Sequence, residues 1–218
     1  HGDEQQFGAA VGVTDWGMIV DEERARELAD NMQSAYNLLP SAKYFDLVQS
    51  SVIKFDSSTA DVYDFPALYG NTIDSVNELK NFLLGDPQTG NPRIEPGAND
   101  EESPNVAKEP LLSRSKTVHD IIDVWTPPPG MELIQIAGWG IKTLSGIEYS
   151  CGLFTCSSLS TLDREVLKTH VGDGTVVLPS AVALGISENV ERYYVNIRDN
   201  NRDGFIFHEN RNRDHASI

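Results

Sequence analysis

Gly172-Asp173-Gly174-Thr175-Val176 is the stretch that decides how this chain is read. An acid between two glycines belongs on a sharply turning loop. The residues after it supply a short helical start at Pro179 to Leu184, a strand at Arg192 to Ile197, and finally a histidine, His215. Acid loop, helix, strand and histidine are the closing half of a serine-hydrolase triad when the nucleophile comes first, the order of the α/β-hydrolase fold. The opening half would be a Gly-x-Ser-x-Gly elbow. Within residues 1–218 the glycines spaced by four are Gly8 and Gly12, and Ala10 stands at the nucleophile position. Ser145 precedes Gly146 but has no glycine two places earlier. The expectation is therefore an α/β protein representing the C-terminal half of an α/β-hydrolase fold, with its nucleophile encoded upstream of His1.

Working outward from the acid loop, Leu133-Ile134-Gln135-Ile136-Ala137 is a short apolar run ending in Gly138-Trp139-Gly140. It reads as a buried parallel strand and its exit turn. Ile147 to Cys156 reads as a hairpin. Upstream the pattern is helical. Residues 1–20 read as loop, and Asp21 caps a helix with an acidic first turn and a narrow stripe of Ala25, Leu28, Ala29 and Met32, ended by Pro40. Ser50 to Asp64 shows little periodicity. A second helix is predicted from Asn71 or Thr72 to Leu84, closed by Gly85. Residues 85–104 hold four prolines and three glycines and form an exposed loop. Pro110 opens a third helix with Leu111, Val118, Ile122 and Trp125 on one face, stopped by Thr126-Pro127-Pro128-Pro129-Gly130. Residues 1–130 thus read as a mostly helical cap or lid, and 131–218 as the core segment carrying the acid and base loops. Two strands cannot make a sheet stable alone, so the upstream half is expected to supply their neighbours.

The composition narrows the partners. Seventeen Lys and Arg face 33 Asp and Glu, for a net charge of −16. Such a surface repels phosphate backbones and anionic head groups, which argues against nucleic acid. No apolar run approaches the roughly 20 residues that span a bilayer, so no transmembrane segment is expected. Cys151 and Cys156 either pair across a tight hairpin or stand as free thiols, and the compartment is not legible from them.

Asn31-Met32-Gln33-Ser34-Ala35-Tyr36-Asn37-Leu38-Leu39-Pro40-Ser41 resembles the cap-region signature of lipases related to lecithin:cholesterol acyltransferase and GPI inositol-deacylase. Ile136-Ala137-Gly138 with Thr143 and Gly146 looks like their penultimate core strand and the turn after it. Gly172-Asp173-Gly174-Thr175-Val176 resembles their acid loop, with Ser180-Ala181 its tail, and Tyr193-Tyr194-Val195 followed by His215 resembles their last strand and catalytic histidine. The chain departs in having Val177 where the family tends to have Pro, and in a long loop before His215. The resemblance implies a serine-dependent carboxylic-ester hydrolase or acyltransferase acting on a lipid or other acyl ester. Asp173 would be its acid and His215 its base, and the upstream half would provide the serine and oxyanion hole.

In that chemistry Asp173 accepts a hydrogen bond from one imidazole nitrogen of His215, and the other nitrogen takes the proton of the attacking serine. No cofactor is required. The plainer alternative is that Asp173 only shapes a Gly-rich turn. Among the other histidines, His208 after Phe205-Ile206-Phe207 is the rival base, while His170 directly precedes the acid loop and is expected to pack or cap there. Asp199-x-Asn201-x-Asp203-Gly204-x-Ile206 reproduces the opening of an EF-hand-type calcium loop, although the closing acid, Glu209, comes one place early. Ca²⁺ on Asp199, Asn201, Asp203 and Glu209 stands beside a solvated Asp/Asn turn as the reading of that stretch. The rival function, from another class, is a non-catalytic calcium-stabilised binding module of hydrolase ancestry.

Overall fold

The computed structural model of the chain describes residue 29 and residues 31–61, 65–84, 107–151, 162–184 and 190–200. Helices and strands are mixed, and so are the strand directions, as expected of an α/β chain. Two short helices open the described part, α1 (Gln33–Asn37) and α2 (Ala42–Val48). Pro40 closes the first as expected, but the chain at once begins the second, because the Ser41 hydroxyl accepts the Tyr44 N–H at 3.3 Å and caps it. The weakly periodic stretch that follows contains β1 (Ile53–Phe55) and a 3₁₀ turn, Ser57–Asp61. After α3 (Phe65–Tyr69) come β2 (Thr72–Ile73) and α4 (Val76–Leu84).

The helix predicted from Asn71 or Thr72 therefore begins later. Thr72 and Ile73 extend to pair antiparallel with Lys54 and Ile53. Ser75 then accepts the Glu78 N–H, while Glu78 reaches back to the Asp74 N–H, a reciprocal cap that fixes the true start. Helix α5 (Glu109–Ile122) carries Pro110 in its first turn, where the missing N–H costs nothing. Its buried face differs from the expected one. Ser115 and His119 are buried, whereas Ile122 and Trp125 are exposed. Leu111 and Leu112 pack against the core, and polar groups add to their hold: Ser115 donates to the Tyr36 carbonyl at 2.6 Å, and Lys43 donates to the Asp123 carbonyl at 2.7 Å.

The remaining elements are β3 (Leu133–Trp139), β4 (Thr143–Cys151), β5 (Leu162–Thr169), α6 (Leu178–Ala181), β6 (Val190–Asn196) and α7 (Ile197–Asn200). The predicted hairpin at 147–156 is longer than read: β4 runs on to Cys151 and pairs antiparallel with a strand that starts at Leu162. Cys151 is disulfide-bonded, and Cys156 lies outside the described residues.

Two sheets result. One is four-stranded in the order β2-β1-β4-β5, drawing strands from both sides of residue 130, with β1 and β4 parallel. Its core is aromatic. Phe55 stacks on Tyr149 at 5.7 Å, Phe82 of α4 lies 5.7 Å from the first and 6.0 Å from the second, and Tyr69 of α3 lies 6.3 Å from Phe55 and 5.5 Å from Phe82. Edge-to-face and offset pairs of this kind add about 0.5–1.5 kcal/mol each beyond the burial itself. The other sheet is the parallel pair β3–β6, in register from Leu133↔Val190 to Trp139↔Asn196. Among the described residues no helix is long and apolar enough to cross a membrane.

Candidate functional site

The acid loop sits where β3 ends. Beyond Trp139 the Gly140 N–H donates to the His170 carbonyl at 2.9 Å, and the Ile141 N–H donates to the Gly172 carbonyl at 3.1 Å. Ile141 and Asp173 thereby form a parallel bridge, and Gly172 and Val177 an antiparallel one. Because β6 runs parallel to β3, both strands deliver their carboxyl ends here, and in open parallel sheets ligand sites lie at that end.

Each small residue of the loop has a steric reason. A Cβ on Gly172 would lie 2.3 Å from the Thr143 Oγ1 and 2.8 Å from the Val176 carbonyl oxygen, so no larger residue fits without moving backbone. At Gly140 (φ 101°) a Cβ would lie 2.8 Å from the Asn196 Oδ1 and 3.1 Å from the Arg198 Cβ. That close approach brings the exits of β3 and β6 together.

Asp173 is 5% exposed. Its Oδ1 accepts the Thr175 N–H at 3.0 Å and the Val176 N–H at 2.8 Å, and its own N–H donates to the Val176 carbonyl at 3.2 Å. The carboxylate therefore does shape the turn. Rather than excluding the triad role, the turn bonds orient the group.

Thr143 completes the arrangement. Fully buried at the start of β4, its hydroxyl accepts the Gly174 N–H at 2.9 Å and donates to the Ile141 carbonyl at 3.0 Å. It ties the acid loop to the turn after β3. The sequence marks Thr143 only through its family resemblance, since nothing local announces a contact made 31 residues away.

His215, the expected base, lies outside the described residues, as do its rival His208 and Asn201, Asp203 and Glu209 of the calcium-like stretch. Asp199 falls in the short helix α7, directly after β6. Among the described residues no group of three His, Cys, Asp or Glu is placed to hold a metal ion. His170 does cap at the loop, but with its backbone carbonyl, and its side chain is exposed rather than packed. His119 is buried in α5, with its Nδ1 3.5 Å from the Asp123 Oδ1. No family model matches the chain, and no curated protein matches it.

Proposed function

We propose that this chain is the acid- and base-bearing part of a serine-dependent carboxylic-ester hydrolase or acyltransferase of the α/β-hydrolase type, acting on a lipid or other acyl ester. Asp173 is the triad acid and His215 the base, while the serine belongs to a separate stretch of polypeptide. The observation that supports this reading is the position of the acid: a buried aspartate, oriented by two backbone N–H groups, at the carboxyl end of a parallel strand pair. His215 follows β6, whose own carboxyl end is at Asn196, beside Gly140. The chemistry then follows from roles. Asp173 fixes the imidazole tautomer and stabilises the imidazolium formed as the serine is deprotonated, and His215 returns that proton to the leaving alcohol.

The exposed face of β3–β6 supports the division of labour. A two-stranded parallel sheet does not stand alone in water, and parallel sheets are covered on both faces. Ile134, Ile136 and Tyr193 are exposed on one face of this pair, as fits a surface meant to meet further strands and helices.

Proximity of acid and base is the test. A nitroxide attached at His215→Cys should broaden the amide signals of Asp173 and Gly174 in the folded chain. Unbroadened signals there, with broadening elsewhere, would remove His215 from the site and end the proposal.

A further inference from the structure

The turn after β3 gathers cations in a chain whose net charge is −16. Thr143, fully buried, pairs with Thr169 where β4 begins and β5 ends. Side chains alternate across a strand, so the residues one step beyond that pair, Lys142 and His170, turn away from the core. Both are exposed. Arg198, also exposed, joins them from α7. Its Cβ lies 3.1 Å from where a Cβ on Gly140 would stand, and Gly140 in turn donates its N–H to the His170 carbonyl at 2.9 Å.

These three side chains have no ion-pair or hydrogen-bond partner among the described residues. Lys80 and Lys116, by contrast, each hold an acid, Glu109 at 2.9 Å and Asp120 at 2.7 Å. The acid bridged to this turn, Asp173, is 5% exposed and turns its Oδ1 to the N–H groups of Thr175 and Val176. Three segments far apart in sequence thus bring unneutralised donors to one place.

The donor set decides the chemical class. A guanidinium offers two parallel N–H groups, an ammonium a compact charge, and an imidazole at least one N–H. A phosphate group presents three oxygens and up to two charges to such a set, whereas a carboxylate presents two oxygens and one charge. The net charge of the chain opposes a long polyanion, which leaves a small phosphate. The place also suits a ligand, since the cluster sits at the carboxyl ends of the parallel strands β3 and β6.

We infer that Lys142, His170 and Arg198 form a binding site for the phosphate group of a small ligand, either the free ion or a phosphate monoester. The inference does not rest on the ester-hydrolase reading, since binding is measured without turnover.

Inorganic phosphate, glycerol phosphate and acetate serve as probes, titrated at constant ionic strength and followed by the amide signals of Lys142, His170 and Arg198. Both phosphates should saturate, with acetate about tenfold or more weaker. Tighter glycerol phosphate assigns the site to a monoester, and tighter inorganic phosphate to the free ion. Arg198→Ala should weaken phosphate by about tenfold, and Arg198→Lys by less, because the charge stays while the fork is lost. Lys142→Ala should weaken it by about threefold or more. Lys54→Ala removes an exposed cation from β1 and should leave the affinity unchanged. Failure of either phosphate to saturate, acetate binding as tightly, or equal weakening by Lys54→Ala and Arg198→Ala would each overturn the inference.

Discussion

Phe55 and Tyr149, on neighbouring strands of the four-stranded sheet, are each 5% exposed, whereas Ile136 and Tyr193, register partners in the two-stranded sheet, are 64% and 49% exposed. Both pairs are bulky and both lie on parallel strands. The first is covered by Tyr69 and Phe82 from α3 and α4. The second is left open, and on the opposite face only β3 is covered, where Gln135 and Ala137 are buried and α6 packs on it, while Tyr194 of β6 is exposed. One sheet finds its cover within the described residues, and the other leaves Ile134, Ile136 and Tyr193 exposed. The acid loop lies at the end of the second, the less self-sufficient part of the molecule.

The largest expected effects break this contrast directly. Phe82→Ala should cost about 3–5 kcal/mol of unfolding free energy, as for a large aromatic removed from a packed core. Ile136→Ala should change stability by no more than about 0.5 kcal/mol in the same chain, as at exposed positions. Urea denaturation of the two variants decides it, and comparable losses would mean that the parallel pair is covered after all.

A middle-sized effect sharpens the comparison at the join between the sheets. Thr143→Val keeps the shape but removes the acceptor for the Gly174 N–H and the donor to the Ile141 carbonyl. It should cost about 1–3 kcal/mol, with Thr143→Ser recovering most of it. Faster hydrogen exchange at the Gly174 amide in the valine variant, restored in the serine variant, would show that the loss is local to the acid loop. Gly172→Ala should be worse tolerated than an ordinary surface change, given the 2.3 Å approach to the Thr143 Oγ1.

The smallest effect belongs to the surface of the self-sufficient part. The Lys80 ammonium, hydrogen-bonded to Glu109 at 2.9 Å, is the main cause holding that carboxyl below its ordinary range. A depressed carboxylate pKa means the unfolded chain binds the proton more readily. The contribution is therefore complete above the ordinary glutamate pKa and is lost as pH falls through the lower, folded value. Both side chains are about half exposed, so Glu109→Gln should cost less than about 1 kcal/mol near neutral pH, and less still at high salt. Thermal melts at pH 7 and pH 3 should show the difference between wild type and variant shrink at the lower pH.

Much of the acid site is legible along the chain because its determinants are local. Gly172 and Gly174 flank an aspartate whose side chain bonds to N–H groups two and three residues ahead, which short-range sequence encodes completely. The strand before it, Leu133–Trp139, is legible as a parallel strand for the same reason, an apolar run between glycines, but not as the buried strand expected, since Ile134 and Ile136 are exposed. Thr143 is not, since its partners come from a loop far along the chain. The face of α5 misled for a different reason. Leu111 does pack against the core, but Ser115 and His119 share the buried side, and polar contacts such as those of Ser115 and Lys43 carry no hydrophobic signal.

By itself the sequence determined the turn chemistry, the proline opening of α5 and the order acid loop, helix, strand, because backbone conformation at glycine and proline is decided within a few positions. Only the tertiary structure decided that Ile53–Phe55 is a strand, that β4 pairs with β1 as well as β5, and that β3 and β6 lie side by side. A strand of three residues has no internal hydrogen bonds to stabilise it. It exists because distant segments supply its partners, and no local pattern can announce a partner that folding has yet to bring near.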